Sequence, residues 1–138
     1  MPPATPQSDE QSLLAQIEQL PRLVNEDADL VRRGAWVDLQ FRLGIGEVPC
    51  FVTIAGGKIM GLDSGPRLMR SSRFQVHATA EAWRRFWQPM PDPGWHDLLA
   101  LTKRGVAHID GDLHPLLANL QYFKDVLAAP RRLHQGSR

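Results

Sequence analysis

Four residues that can bind a metal ion alternate along one short segment. His108, Asp110, Asp112 and His114 occur in the string His-Ile-Asp-Gly-Asp-Leu-His, and imidazole with carboxylate is a common ligand set for transition metals. His108 and Asp110 can share one strand face, but Asp112 suits a helix start and would place His114 in the first helical turn. An iron oxygenase built on His108 and Asp110 would also need a larger β-sandwich or barrel. We therefore predict polar groups on an open sheet face here, and no metal or other cofactor.

Nucleophilic and acid–base catalysis find little support in the residue pattern. The sequence has no Gly-x-Ser-x-Gly motif, and Ser64 lies in Asp-Ser-Gly-Pro, which is typical of a turn. Cys50 falls within a strand pattern, where an inert buried thiol is expected. His77 also falls on a strand and could act as a base beside a cavity, although a lone histidine there is usually structural or solvated. The sequence therefore predicts no catalytic residue.

Five strands are predicted by alternation and by glycine-rich turns. Residues 36–43 alternate as in a half-buried strand. One side carries Val37, Leu39, Phe41 and Leu43, and the other carries Trp36, Asp38, Gln40 and Arg42. Segments 48–54 and 58–62 flank Ala-Gly-Gly and predict a hairpin. Segments 74–78 and 106–110 complete the set.

Four helices are predicted from apolar residues at helical spacing. They cover residues 10–20, 79–88, 95–102 and 112–128, and the proline-rich segment 88–94 must be a loop. The residues expected to begin or end them are Pro21, Thr79, Gly105, Asp112 and Pro130.

The order of these elements predicts an α+β fold with a mostly antiparallel five-stranded sheet and helices packed on one face. A chain of 138 residues is long enough for one hydrophobic core. Hydrophobic residues make up 43% of the chain and charged residues 22%, which is typical of a globular protein. We predict a disordered tail over residues 1–10, a single domain over 11–130 and a polar tail over 131–138.

Charge and cysteine content exclude several classes of protein. A formal net charge of +1 argues against a nucleic-acid binder. A single cysteine excludes an intrachain disulfide and a cysteine-based zinc site, and it fits the reducing cytoplasm. The sequence shows neither the basic start of a signal peptide nor an apolar run of membrane-spanning length. We expect a soluble cytoplasmic protein.

A small basic group occurs between the third and fourth predicted strands. Arg67, Arg70 and Arg73 lie within seven residues and predict transient contact with an anionic membrane surface. A simple solvated loop is the alternative for such a short cluster.

Three segments are similar to the sterol carrier protein family over roughly residues 30–128. They are the hairpin Val52-Thr-Ile-Ala-Gly-Gly-Lys58, the strand and turn Gly105-Val-Ala-His-Ile-Asp-Gly-Asp112, and the leucine-rich helix that follows. The resemblance implies that sterols, fatty acids, acyl thioesters or other apolar molecules bind in a tunnel between sheet and helices, without catalysis. The insert at 88–94 and the tryptophan-rich region 83–95 depart from the family pattern.

Large apolar side chains on the predicted helices form the candidate ligand site. They are Trp83, Phe86, Trp87, Met90, Trp95, Leu98, Leu99, Leu116, Leu120, Phe123 and Leu127. The alternative is that they only fill the core. Three functions stay open: an apolar ligand-binding and transfer module of unknown oligomeric state, a small enzyme or enzyme partner that uses His77, His108 or a sheet aspartate, and a structural protein-interaction domain.

Overall fold

Five strands and eight helices form the parts of the chain that the computed structural model describes, residues 6–64 and 72–135. The strands are β1 Asp38–Ile45, β2 Val48–Ala55, β3 Lys58–Ser64, β4 Phe74–Ala78 and β5 Ala107–Gly111. The helices are α1 Pro6–Ile17, α2 Leu20–Asn25, α3 Ala28–Arg33, α4 Ala80–Phe86, α5 Leu98–Arg104, α6 His114–Ala118, α7 Leu120–Ala128 and α8 Arg131–Gln135.

The five strands form one sheet in the order β3-β2-β1-β4-β5. Three of the four pairings are antiparallel, so the predicted mostly antiparallel sheet is confirmed. The remaining pairing, β1 with β4, is parallel, with Leu43 beside Val76. Residue alternation gives a strand its faces but does not choose its neighbour, so this pairing could not be predicted from the sequence.

The sheet has one buried face and one polar face, and the helices lie on the buried face as predicted. Phe41, Leu43 and Ile45 of β1 point into the core, as do Phe74 and Val76 of β4. The opposite face carries cross-strand polar contacts, including Gln40 Nε2 to Thr53 Oγ1 at 3.0 Å. The period-two pattern therefore identified the two faces correctly.

The β2–β3 hairpin turns through Gly56 and Gly57, which have φ angles of +59° and +82°. These left-handed angles suit glycine because it has no Cβ. The predicted hairpin is confirmed.

The first helical region is longer than predicted and is broken into three helices. Pro21 does not end a helix but lies in the first turn of α2, where a missing N–H costs no hydrogen bond. Asp27 then begins α3 by accepting a hydrogen bond from the Leu30 amide at 3.1 Å. The sequence prediction missed α2 and α3 because each has only six residues.

Two predicted helix boundaries around the proline-rich loop are confirmed and one is wrong. Thr79 caps α4 through its Oγ1, which accepts from the Ala82 amide at 3.1 Å, and Gly105 ends α5 at φ +80°. The second helix begins at Leu98, however, so Trp95 lies in the preceding loop.

The final predicted helix is interrupted at Asn119, which separates α6 from α7 with φ −127°. Its Nδ2 donates to the Pro115 carbonyl at 3.0 Å. Asp112 was predicted to cap this helix, but the N-cap position of α6 is Leu113; Asp112 lies one residue earlier and accepts from the His114 amide at 3.2 Å. The apolar stripe continues across the break, which is why the two helices looked like one.

Both predicted tails overlap described helices. α1 begins at Pro6 and α8 covers Arg131–Gln135, while residues 1–5 and 136–138 lie outside the described part of the chain. The boundaries of the single domain remain a prediction.

Candidate apolar ligand site

Seven of the eleven predicted ligand-binding residues are buried between the helices and the sheet. They are Trp83, Phe86, Trp87, Leu98, Leu116, Phe123 and Leu127. The helical spacing therefore placed most of the set on the inward side of α4, α5, α6 and α7.

Four predicted residues lie at or near the surface instead of lining the interior. Met90 is 88% exposed because the prolines on either side hold it in a loop outside the helical layer. Leu99 points outward from α5. Trp95 is half-buried between the guanidinium groups of Arg85 and Arg104, each 4.5 Å from its ring. The fourth residue, Leu120, is half-buried at the start of α7.

The first group of aromatic rings in the interior belongs to α4 and its C-terminal end. Trp83 stacks on Trp87 with 5.1 Å between ring centroids. Phe86 meets Trp83 edge to face at 5.7 Å. Such contacts add to the apolar area that the rings bury.

A second group of rings joins α7 to the sheet. Phe123 meets Phe41 edge to face at 5.8 Å and Phe74 at 5.3 Å, and Phe41 stacks on Phe74 at 5.2 Å. The sequence-based site omitted Phe41 and Phe74. Their positions on the inward-facing sides of two predicted strands are the signal that could have found them.

The polar atoms of the buried aromatic side chains are all paired with backbone carbonyls. Trp83 Nε1 donates to Gly44 at 2.9 Å, and Trp87 Nε1 donates to Leu127 at 2.7 Å. The Tyr122 hydroxyl donates to Gly57 at 2.7 Å. These bonds join α4 and α7 to each other and to the sheet, and they leave only apolar ring surface facing the interior.

The two aspartates considered for metal binding have other partners, and so does the histidine considered as a base. That histidine is His77, whose Nε2 lies 2.9 Å from the Gly46 carbonyl and whose ring centroid is 6.5 Å from that of His108. Asp110 accepts from Gln75, and Asp112 pairs with Arg73 at 3.3 Å. Across residues 6–64 and 72–135, no three His, Cys, Asp or Glu side chains are grouped so as to hold a metal ion.

The predicted membrane contact falls mostly outside the described residues. Arg67 and Arg70 belong to the segment that the structure does not describe, and Arg73 forms the ion pair with Asp112. No helix in the described ranges is long and apolar enough to cross a bilayer.

Cys50 is fully buried, so we expect its thiol to be unreactive in the folded protein. We also expect the free energy of unfolding to fall at alkaline pH, where the thiol ionises more readily in the unfolded chain. Burial, with smaller effects of Asp63 and Glu18, raises the pKa of Cys50 from 9.0 to about 12. The neutral thiol therefore favours the folded state fully below pH 9, and this contribution is lost as the pH rises toward 12. At pH 8, Ellman's reagent should modify the native protein at least about a thousandfold more slowly than the urea-unfolded protein. Equal rates would show that Cys50 is accessible.

The architecture matches solved structures although the sequence identity to them is low. Eleven chains match, while no family model and no curated protein does. A crystal structure of sterol carrier protein 2 aligns over 85% of this chain and 94% of its own, with a TM-score of 0.66 and 15% identity. This chain has a sterol carrier protein-like fold. The resemblance seen in the sequence is thereby confirmed for the fold.

Two further structures share this sterol carrier protein-like fold. A conserved hypothetical protein from Thermus thermophilus, named as a candidate sterol carrier protein, aligns over 84% of this chain and 86% of its own, with a TM-score of 0.61 and 15% identity. The UbiJ-SCP2 ubiquinone synthesis protein aligns over 84% of this chain and 91% of its own, with a TM-score of 0.53 and 14% identity.

Proposed function

We propose that this protein binds an apolar small molecule between its helices and its sheet and transfers or presents it, without catalysing a reaction. The observation that carries the proposal is the aromatic interior beneath α4 and α7, enclosed in a sterol carrier protein-like fold. Apolar and aromatic linings are typical of small-molecule sites. Sterols, fatty acids, acyl thioesters and, by analogy with the ubiquinone synthesis protein, prenylated quinones are the candidate ligands.

The interior is filled by its own rings, so a lipid-sized guest must displace some of them. Trp83, Trp87 and Phe123 are each at most 1% exposed. The bond from Trp87 Nε1 to the Leu127 carbonyl joins α4 to α7 directly. Separation of these two helices is the movement that would make room, and it would change the surroundings of both tryptophans.

We expect ligand binding to change tryptophan emission. The full-length protein would be titrated separately with cis-parinaric acid, dehydroergosterol and decylubiquinone, and unlabelled lipids of the same class would be used as competitors. Saturable quenching or energy transfer, reversed by competitor, is the expected result. Mass spectrometry of an organic extract of the purified protein would detect a ligand that it retains from the cell.

Two neighbouring leucines of α6 provide a matched pair of variants for this titration. Leu116 is 1% exposed and faces the interior, whereas Leu117 is 59% exposed. Leu116→Ala should alter the preferred ligand length because it removes inward-facing volume, and Leu117→Ala should leave binding unchanged. Unaltered binding in both variants, or binding without any tryptophan response, would place the ligand elsewhere.

A second candidate function is an interaction domain that serves a partner enzyme. Trp36 is 93% exposed and Met60 is 66% exposed, and large aromatic side chains are enriched in protein interfaces. This second function would be favoured over the first if the organic extract contained no ligand and if the folded protein bound none of the three probes.

A further inference from the structure

A recess of about 310 Å³ lies over the polar face of the sheet. Three of the residues that line it are polar and come from three adjacent strands, Arg42 of β1, Gln75 of β4 and Asp110 of β5. Phe74 also lines the recess, and its ring packs against Phe123 in the aromatic interior. The two sites therefore share one wall. The volume is at the small end of the range for ligand pockets, so it suits a small molecule or a headgroup.

The three polar residues form one continuous row. Strand register places Arg42 beside Gln75 and Gln75 beside Asp110. Arg42 Nη1 donates to Gln75 Oε1 at 2.7 Å, and Gln75 Nε2 donates to Asp110 Oδ2 at 3.1 Å. Because the two charged groups are bonded to the two ends of one amide, these guanidinium and carboxylate atoms lie within about 8 Å of each other.

Neither charge in this row is neutralised by an ion pair within residues 6–64 and 72–135. Both Arg42 and Asp110 have the neutral Gln75 amide as their side-chain partner there. The neighbouring Arg73 and Asp112, by contrast, pair directly at 3.3 Å. The remaining guanidinium N–H groups of Arg42 and the second carboxylate oxygen of Asp110 are therefore available to a ligand that carries both charges.

We propose that this recess binds a small zwitterion whose phosphate and primary ammonium groups are two carbons apart, as in phosphoethanolamine. The phosphate pairs with Arg42, whose planar set of donors matches phosphate oxygens, and the ammonium group donates to Asp110. The two-carbon chain crosses the Gln75 amide, which keeps the two protein charges apart. A ligand with a single charge gains one partner but also meets a like charge, so the row disfavours it.

This chemistry has two sources, free phosphoethanolamine and the headgroup of phosphatidylethanolamine. Both present the same phosphate and the same ammonium N–H donors. A choline headgroup differs because its quaternary ammonium has no N–H to donate to Asp110. The choline compounds are therefore natural controls for the ammonium end of the site.

The test titrates the isotope-labelled full-length protein with phosphoethanolamine and with two analogues that each lack one charged group. Ethyl phosphate lacks the ammonium group, and ethanolamine lacks the phosphate. The amide NMR signals of residues 42, 75 and 110 should move on binding, at low ionic strength because salt screens exposed charges. Each analogue should bind about fivefold more weakly, since each loses one partly exposed ion pair.

Two variants assign the ends of the ligand, and a third is the matched control. Arg42→Gln should remove the advantage of phosphoethanolamine over ethanolamine. Asp110→Asn should remove its advantage over ethyl phosphate. Arg73→Gln removes the same charge from a neighbouring residue that does not line the recess, so it should leave all three affinities unchanged.

Co-sedimentation with vesicles distinguishes the two sources of the ligand. The vesicles contain either phosphatidylcholine alone or equal parts of phosphatidylcholine and phosphatidylethanolamine. Binding that requires phosphatidylethanolamine and is lost in Arg42→Gln assigns the recess to the lipid headgroup. NMR binding of free phosphoethanolamine without vesicle binding assigns it to the soluble molecule.

No binding of phosphoethanolamine in either form, equal affinities for the three compounds, or signal shifts away from the recess would overturn the proposal. The analogue series on the unmodified protein decides the question even if a variant fails to fold. None of the three titrated compounds has an apolar chain, so the result does not depend on whether the aromatic interior binds a lipid.

Discussion

Replacing Phe123 by alanine should lower the free energy of unfolding by about 3–5 kcal/mol, the usual cost of removing a packed core phenylalanine. The ring is completely buried. Phe41, Phe74 and Tyr122 lie around it, with centroids 5.2 to 5.8 Å away. Because partners are present on several sides, truncation removes contacts with both the sheet and α7. Urea denaturation of the wild type and the variant measures the difference.

The same variant distinguishes a filled interior from a preformed cavity. A wall residue beside a void has fewer contacts to lose, so a preformed cavity predicts a loss of about 2 kcal/mol or less together with changed ligand selectivity. Leu117→Ala is the control because its side chain is mostly exposed, and it should change stability by no more than about 0.5 kcal/mol. A small loss for Phe123→Ala would show that the rings around it leave open space.

The predictable part of the fold is the part that short segments determine by themselves. Alternation along 36–43 and 74–78 gave the inward faces of β1 and β4, and two glycines gave the hairpin. The parallel pairing of β1 with β4 depends on how distant segments meet, and the residue pattern contains no comparable signal for it. The break at Asn119 was also invisible, since the apolar stripe runs through it.

The candidate site was predictable to the extent that helical spacing determines which side of a helix is buried. Trp83, Phe86 and Phe123 were placed correctly inside. Trp95 was not, because two arginines from α4 and α5 cover its faces and that contact exists only in the folded chain. Met90 was included because its side chain is hydrophobic, and that property alone does not distinguish an exposed residue from a buried one. Three nearby prolines already excluded a helix at this position.

Gly57 joins three parts of the structure at the tip of the β2–β3 hairpin. Its carbonyl accepts the Tyr122 hydroxyl of α7 at 2.7 Å. A Cβ at this position would lie 2.4 Å from the Val31 carbonyl oxygen of α3 and 2.8 Å from the Gly34 carbonyl carbon. Both of these atoms belong to the backbone, so a rotamer change cannot relieve the overlap. Gly57 therefore determines how closely the hairpin approaches α3 and α7.

Gly57→Ala should consequently destabilise the protein by about 3 kcal/mol, combining about 1 to 2 for a left-handed alanine with about 1 to 3 for overpacking. Gly56→Ala is the matched control, since Gly56 also has a positive φ but a Cβ there would meet nothing within 4 Å. It should cost only the conformational part, about 1 to 2 kcal/mol. Urea denaturation of both variants measures the difference, and equal losses would mean that α3 moves aside freely. The extra loss at Gly57 would instead show that α3 and α7 are held against the hairpin, and thus that the helical wall over the aromatic interior is anchored at this end of the sheet.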